Sequence, residues 1–341
     1  QHHKQKEYQS IILHVVFEND REITELKNRN IPTIELKNYM DAQFIEQHKD
    51  IKLQDFTDYE DLFGIKKLDE NFARETVLEK LQEKDEEICL FQEATKNDHE
   101  AVLFHKTAYA FGLKVNAEVF LQIAQSIDLK IIKKLSCQPF QMEALLMGRA
   151  GLLEENNPDA EPWFREFSFV KNKFQLGEEC FSAKLAKVMP ASFPTIRLSQ
   201  LAALYSAHQN LFSKIINARK VDELKAIFKD IKASAYWDSH YFFGKKAEEK
   251  QRKLSADFTE IILLNAVFPV MYSYHRDNPE MVEIILSFYK EMKPEKNSII
   301  KQWKNTGAEI NSALDSQAFL YLYKKLSPRK GKTTSPKAPH T

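Results

Sequence analysis

The sequence predicts an α+β protein, predominantly α, with a small N-terminal β-region forming a partial sheet ahead of a large all-helical domain. Three observations carry that expectation. The apolar run Ile11-Ile12-Leu13-His14-Val15-Val16-Phe17 is rich in β-branched residues and bounded by turn residues, which is the signature of a short strand. From Tyr39 onward apolar residues recur at helical spacing. Eight glycines against 24 phenylalanines and 12 tyrosines leave little material for tight turns and much for a helical, aromatic interior.

In the first strand Leu13, Val15 and Phe17 point one way and Ile12, His14, Val16 and Glu18 the other. Glu18-Asn19-Asp20-Arg21 reads as a turn, because Asn and Asp tolerate the required backbone angles, and a short strand near Glu22–Leu26 would complete a hairpin. Pro32 to Lys37 alternates again, with Ile34 and Leu36 inward and Glu35 and Lys37 on the opposite face. So few strands cannot satisfy their own edges. Either a partner supplies the rest of the sheet or an N-terminal part is missing, and the first residue is Gln1. The expected organisation is a remnant of a β-rich domain over 1–38, a helical domain over 39–326 and a disordered basic tail over 327–341.

Helices are expected over Asp69 to about Asn97, Glu100–Phe111, Ala117–Ser126, Phe140–Leu153, Ala160–Lys173, Arg197–Ala207, Leu211–Asn217 and Asp222–Ile231. Asp257–Tyr274, Pro279–Met292, Ser298–Asn305 and Asn311–Lys325 continue the series. Asn116 and Asp222 suit N-caps, and Gly112 and Gly151 suit helix ends. In the first long helix the apolar stripe of Phe72, Val77, Leu78, Leu81, Ile88 and Phe91 lapses across Gln82–Glu87, which is expected to be solvated.

Composition excludes several classes. Lys plus Arg and Asp plus Glu each total 49, so no global field announces a nucleic acid or a membrane. The scarcity of glycine argues against a Gly-loop nucleotide site. Cys89, Cys137 and Cys180 are odd in number and widely spaced, which disfavours a disulfide framework or a zinc site and fits a reducing cytoplasm. The longest apolar stretch, Ile261–Tyr274, is broken by Asn265 and Pro269 and is too short to span a bilayer.

The sharpest chemical pattern is Asp20 followed by Glu35-Leu36-Lys37. An Asp upstream of Glu-x-Lys on a strand is how PD-(D/E)XK nucleases build a site. Two carboxylates hold Mg²⁺ or Mn²⁺, and the lysine steadies the attacking water or the phosphate. Asp20 and Glu35 would be the metal ligands and Lys37 the catalytic lysine, with His14 near them on the preceding strand. The competing account is a solvated strand face and a turn aspartate. His2 and His3 beside Lys4 and Lys6 suit a flexible terminus better than a metal site.

In the helical region, Ser234 to Lys245 combines Tyr236, Trp237, Asp238, His240 and Tyr241. Such side chains join apolar bodies to polar handles and suit either an interface or an aromatic packing corner; Asp238 and His240 are a candidate orienting pair. Arg197 falls in a first helical turn, where it opposes the helix dipole, so it either pairs with a buried acid or grips an anion. Asp315-Ser316-Gln317 carries the same ambiguity.

Taken together these segments resemble the uncharacterised bacterial family catalogued as domain-of-unknown-function family 2851. The resemblance rests on Ile12–Val16, Pro32–Lys37, Phe111–Ala117, Glu143–Leu153, Phe193–Ala202, Tyr236-Trp237, His240-Tyr241 and Asp315–Gln317, in order over nearly the whole chain. It implies no established activity. It does imply a further N-terminal segment reminiscent of a nuclease-like sheet, and hence an N-terminally truncated sequence. Two functional readings follow. One is a non-enzymatic binding or scaffold protein that presents Arg197, Tyr236, Trp237 and His240 to a partner. The other, for the intact protein, is a metal-dependent nuclease or nucleic-acid-processing protein built on Asp20, Glu35 and Lys37.

Overall fold

The two alternating N-terminal segments pair with each other, and in parallel: β1 (His14–Val16) lies beside β2 (Thr33–Glu35) with His14 opposite Thr33 and Val16 opposite Glu35. The computed structural model describes residues 14–16, 31–35, 65–186, 188–189 and 192–326. The chain divides into two compact units, residues 1–64 and 65–341. Asp20, Lys37, the expected strand near Glu22–Leu26, His2 and His3, and the basic tail all lie outside the described residues.

The second unit is helical, which makes the protein α+β and mostly α. Its helices are α1 (Glu70–Ala94), α2 (His99–Phe111), α3 (Leu113–Gln125), α4 (Leu129–Leu135), α5 (Pro139–Arg149), α6 (Glu161–Lys173), α7 (Pro194–Ala207), α8 (Leu211–Ile216) and α9 (Val221–Phe228). A short helix α10 (Tyr236–Ser239) then runs into a hairpin, β3 (His240–Phe242) and β4 (Lys245–Lys246). The chain closes with α11 (Ala256–Ile262), α12 (Phe268–His275), α13 (Pro279–Glu291), α14 (Ser298–Asn305) and α15 (Ala313–Leu326).

Local chemistry sets these boundaries. Asp69 caps α1 by accepting from the N–H groups of Asn71 and Phe72, and Asp98, Asp128, Ser255, Asn278 and Asn297 cap α2, α4, α11, α13 and α14 in the same way. Pro194 opens α7 three residues ahead of the expected Arg197, as its missing N–H permits at a first position. Gly151, just past α5, has φ +66, a left-handed conformation that glycine adopts without strain. The expected cap Asn116 is instead buried inside α3. Its amide clamps the backbone of Lys184, donating to the carbonyl at 3.0 Å and accepting from the N–H at 2.7 Å. Asp222 is likewise not a cap: α9 begins one residue earlier, with the Glu223 carboxylate accepting from the N–H groups of Arg219 and Lys220.

The expected helix Asp257–Tyr274 is continuous in direction but not in winding, because Leu263–Val267 forms a π-helical turn between α11 and α12. Pro269 lacks the N–H that would continue the α-ladder, and the N–H of Phe268 reaches back five residues to Leu263. Buried Leu263, Leu264, Val267 and Phe268 make this irregular turn part of the core.

The stretch Gln82–Glu87 is not simply solvated. Glu83 accepts from the Tyr321 hydroxyl at 2.7 Å, Asp85 pairs with Arg276 at 2.9 Å, and Glu87 pairs with Lys106 at 2.8 Å. The lapse in the apolar stripe is where α1 is tied electrostatically to α2, α12 and α15. One turn earlier, the Lys80 ammonium donates to the Gln317 amide oxygen, and that amide donates to Glu295. The segment Asp315–Gln317 is therefore an internal pin. Burial lowers the Lys80 pKa to about 8, and burial raises that of Glu295 above its ordinary value.

Candidate functional site

At the centre of the helical unit sits a carboxylate that sequence reasoning did not single out. Glu143 lies in the middle of α5 and is only 3% exposed. Its Oε1 accepts from the indole N–H of Trp163 at 2.8 Å, the indole N–H of Trp237 at 2.8 Å and the Ser234 hydroxyl at 3.1 Å; its Oε2 accepts from the Ser199 hydroxyl at 2.6 Å. These four donors come from α6, α7 and the stretch Ser234–Trp237 that runs into α10. One acidic side chain on α5 thus gathers three other pieces of chain, because a buried carboxylate must have its lone pairs filled. The sequence signal was present: a lone acid inside the apolar run Met142–Met147.

What this hub holds in place is a ribbon, residues 231 to 254. Its return limb runs antiparallel to its outgoing limb. Leu254 N–H donates to Ile231 O, Ala233 N–H to Arg252 O, Lys250 N–H to Asp238 O and Ala247 N–H to Ser239 O. Lys232 and Lys253 face each other across an antiparallel bridge, and β3 and β4 pair at the tip. Helix α7 grips the ribbon from below, with Thr195 Oγ1 donating to Tyr241 O at 2.6 Å, Ser234 N–H donating to Ser199 Oγ at 2.9 Å and Gln200 Nε2 donating to Arg252 O at 2.8 Å. Thr195 and Ser199 are one helical turn apart, so both reach the same side.

The ribbon's two faces differ. Inward lies an aromatic cluster in which Trp163 packs edge-on against Tyr236 and Phe243 at 4.9 and 5.3 Å between ring centroids. Lys232, Lys245, Lys246, Lys250 and Lys253 are all exposed, as are Glu248 and Glu249, and among the described residues none of these lysines makes an ion pair. Between the ribbon and helices α5 and α7 is a cleft of about 340 Å³ whose lining includes Phe140, Glu143, Ser199, Lys232, Ser234 and Asp238.

The sequence-predicted residues fall at several depths in this arrangement. Trp237 is fully buried and its indole serves Glu143. Tyr236 and His240 are half-buried and stack face to face, 4.3 Å apart with planes 9° from parallel. Asp238 and His240 do not bond to one another: Asp238 Oδ1 accepts from Arg252 N–H, and His240 Nδ1 meets the Tyr236 carbonyl at 3.2 Å and Ser239 Oγ at 3.0 Å. Arg197 is buried with no carboxylate partner among the described residues. It donates to Gln200 Oε1 at 2.9 Å, lies 3.6 Å over the Phe258 ring, and its Nε has no hydrogen-bond partner. Burial lowers its pKa to about 10. In the first unit Glu35 is half-buried at the end of β2 and His14 stands in β1, in register with Thr33. Among the described residues no three His, Cys, Asp or Glu side chains gather to hold a metal ion, and no helix is long and apolar enough to cross a membrane.

The family model described as "Protein of unknown function (DUF2851)" matches residues 1–298. The chain belongs to this family. The DUF2851 match takes in the Glu143 hub, α7 and the whole ribbon. No curated protein and no solved structure matches the chain.

Proposed function

We propose that this chain is a non-enzymatic binding protein whose ribbon, residues 231 to 254, engages single-stranded nucleic acid. The observation that carries the reading is the juxtaposition of Lys232 and Lys253 across one bridge. Like charges placed opposite each other on paired strands cost stability, and the cost is offset when a polyanion lies over them. Lys245, Lys246 and Lys250 are exposed further along the ribbon, next to exposed Glu248 and Glu249, and half-buried His240 stacks on Tyr236 of the inward cluster. Lysines that track a phosphate backbone are one of the parts from which sequence-tolerant single-strand sites are made. The rigid mounting on Glu143 supports this reading, because a preorganised ribbon loses little entropy when it binds.

The test is a fluorescence-anisotropy titration of a labelled 20-nucleotide DNA or RNA strand, with heparin as a generic polyanion control. The reading expects saturable binding that is weakened at least tenfold by Lys232→Glu with Lys253→Glu, and weaker competition from heparin than from unlabelled oligonucleotide. Binding that is unchanged in the double variant contradicts it. Running the same strand with Mg²⁺ or Mn²⁺ addresses the alternative, a metal-dependent nuclease built on Asp20, Glu35 and Lys37. Strand cleavage that disappears in Glu35→Ala would make the protein an enzyme.

A further inference from the structure

A second cavity, of about 470 Å³, opens between α2, α4, α7 and α8, away from the ribbon. Its floor is aliphatic and buried: Leu103 from α2, Leu129 and Ile132 from α4, and Leu211 from α8. Its rim is basic. Lys133 and Lys134 stand there in the last turn of α4. The one acid in the lining, Glu100, is already paired with Lys133. Lys134 is left exposed, with the Phe174 ring centroid 5.8 Å from its ammonium and no ion pair among the described residues.

We infer that this cavity is a binding site for an amphiphilic organic acid, a monocarboxylate with an apolar tail, whose head meets Lys134 and whose tail fills the floor between Leu103, Leu129 and Ile132. The size lies in the range of small-molecule sites, and residues of four helices line a half-open pocket in which a polar rim surrounds the aliphatic floor. The charge decides the head group: with Glu100 neutralised by Lys133, the rim presents an excess positive charge over an apolar floor. An alkylammonium would place its cation against Lys134 and is disfavoured.

The cavity carries its own reporter, because Cys137 lies in its lining with an exposed thiol that accepts from Gln209 at 3.3 Å. Cys180 is also exposed but sits elsewhere, against Gly148 O, and provides an internal control. The experiment measures the iodoacetamide alkylation rate of each cysteine by peptide mass spectrometry. The protein is treated with dodecanoate below its micelle concentration, and separately with dodecyltrimethylammonium. Dodecanoate is expected to slow Cys137 alkylation at least fivefold while Cys180 is unchanged, and Lys134→Glu is expected to weaken that protection at least fivefold. Ile132→Trp, which fills the floor, is expected to abolish it with the circular dichroism spectrum preserved; should that variant fail to fold, Lys134→Glu decides alone. Equal slowing of both cysteines, equal protection by the cationic amphiphile, or no protection at all would overturn the inference.

Discussion

Replacing Glu143 by Gln alters one atom and tests the hub. The glutamine oxygen can keep the three bonds that now reach Oε1, from Trp163, Trp237 and Ser234. Each then changes from a charge-assisted bond to a neutral one, a loss of roughly 1 kcal/mol apiece. The amide NH₂ falls where Oε2 now accepts from Ser199 at 2.6 Å, so two donors meet. Ser199 Oγ, which already accepts from Ser234 N–H at 2.9 Å, can accept from the amide as well only by turning its own hydrogen away from this site, which costs that hydrogen its carboxylate partner. That conflict costs a further ~1 to 3 kcal/mol, while removing a buried charge returns part of the sum. We expect a net destabilisation of about 2–4 kcal/mol, a large share of the ~5–15 kcal/mol that holds a typical protein folded. A urea melt followed by tryptophan fluorescence measures it well, since two of the three tryptophans, Trp163 and Trp237, donate to this carboxylate. Adding Ser199→Ala removes the donor conflict and should recover about 1 kcal/mol, a coupling that separate sites would not show. A shift of less than roughly 0.5 kcal/mol in Glu143→Gln would refute the view that an acidic side chain organises the ribbon.

Three further outcomes follow from the packing and the buried charges. Gly148→Ala should cost about 1–3 kcal/mol in the same melt, because a Cβ there would come within 2.3 Å of the Phe167 ring, and Phe167→Leu should restore part of it. Lys80 has a folded pKa near 8 against 10.5 when unfolded, so the unfolded state holds more protons between those values and stability rises with pH there. Relative to Lys80→Met, the natural protein should gain roughly 1–2 kcal/mol between pH 7 and 9.5, with the lower figure favoured by the half-burial of this side chain; a flat or falling difference would contradict the assignment. Arg197→Met removes a buried cation that has no carboxylate partner among the described residues, together with the guanidinium's 3.6 Å contact over the Phe258 ring, so the two effects oppose and the stability read from the urea melt should change by less than ~2 kcal/mol. A loss above that size would mean that the folded protein supplies an anion to the guanidinium.

Much of the helical unit was readable because its periods and stops are local. Asp69 before α1, Pro279 opening α13 and the span Ser298–Asn305 follow from caps and spacing alone. Elements governed by distant contacts were not readable. Helix α4 is seven residues long, five of them lysine or leucine, and too short for its period to stand out. The hairpin at His240–Lys246 has no alternation of its own and is held by Thr195 and the ladder back to residue 254. Asn116 looked like a cap, yet its partner is 68 residues away. For the site, the aromatic segment and Arg197 stood out by type, but whether a tryptophan faces solvent or serves a buried acid is decided by Glu143, 94 residues upstream of Trp237.

The most direct measurement of the central claim is the salt dependence of oligonucleotide binding. Each lysine–phosphate contact on a single strand contributes a slope of about −0.7 in log K against log salt. Engagement of most of the five ribbon lysines predicts a slope of about −3, falling to about −1 in the combined variant Lys245→Glu, Lys246→Glu and Lys253→Glu. A slope that is the same in the natural and the variant protein would place the nucleic acid elsewhere and contradict the ribbon's assignment.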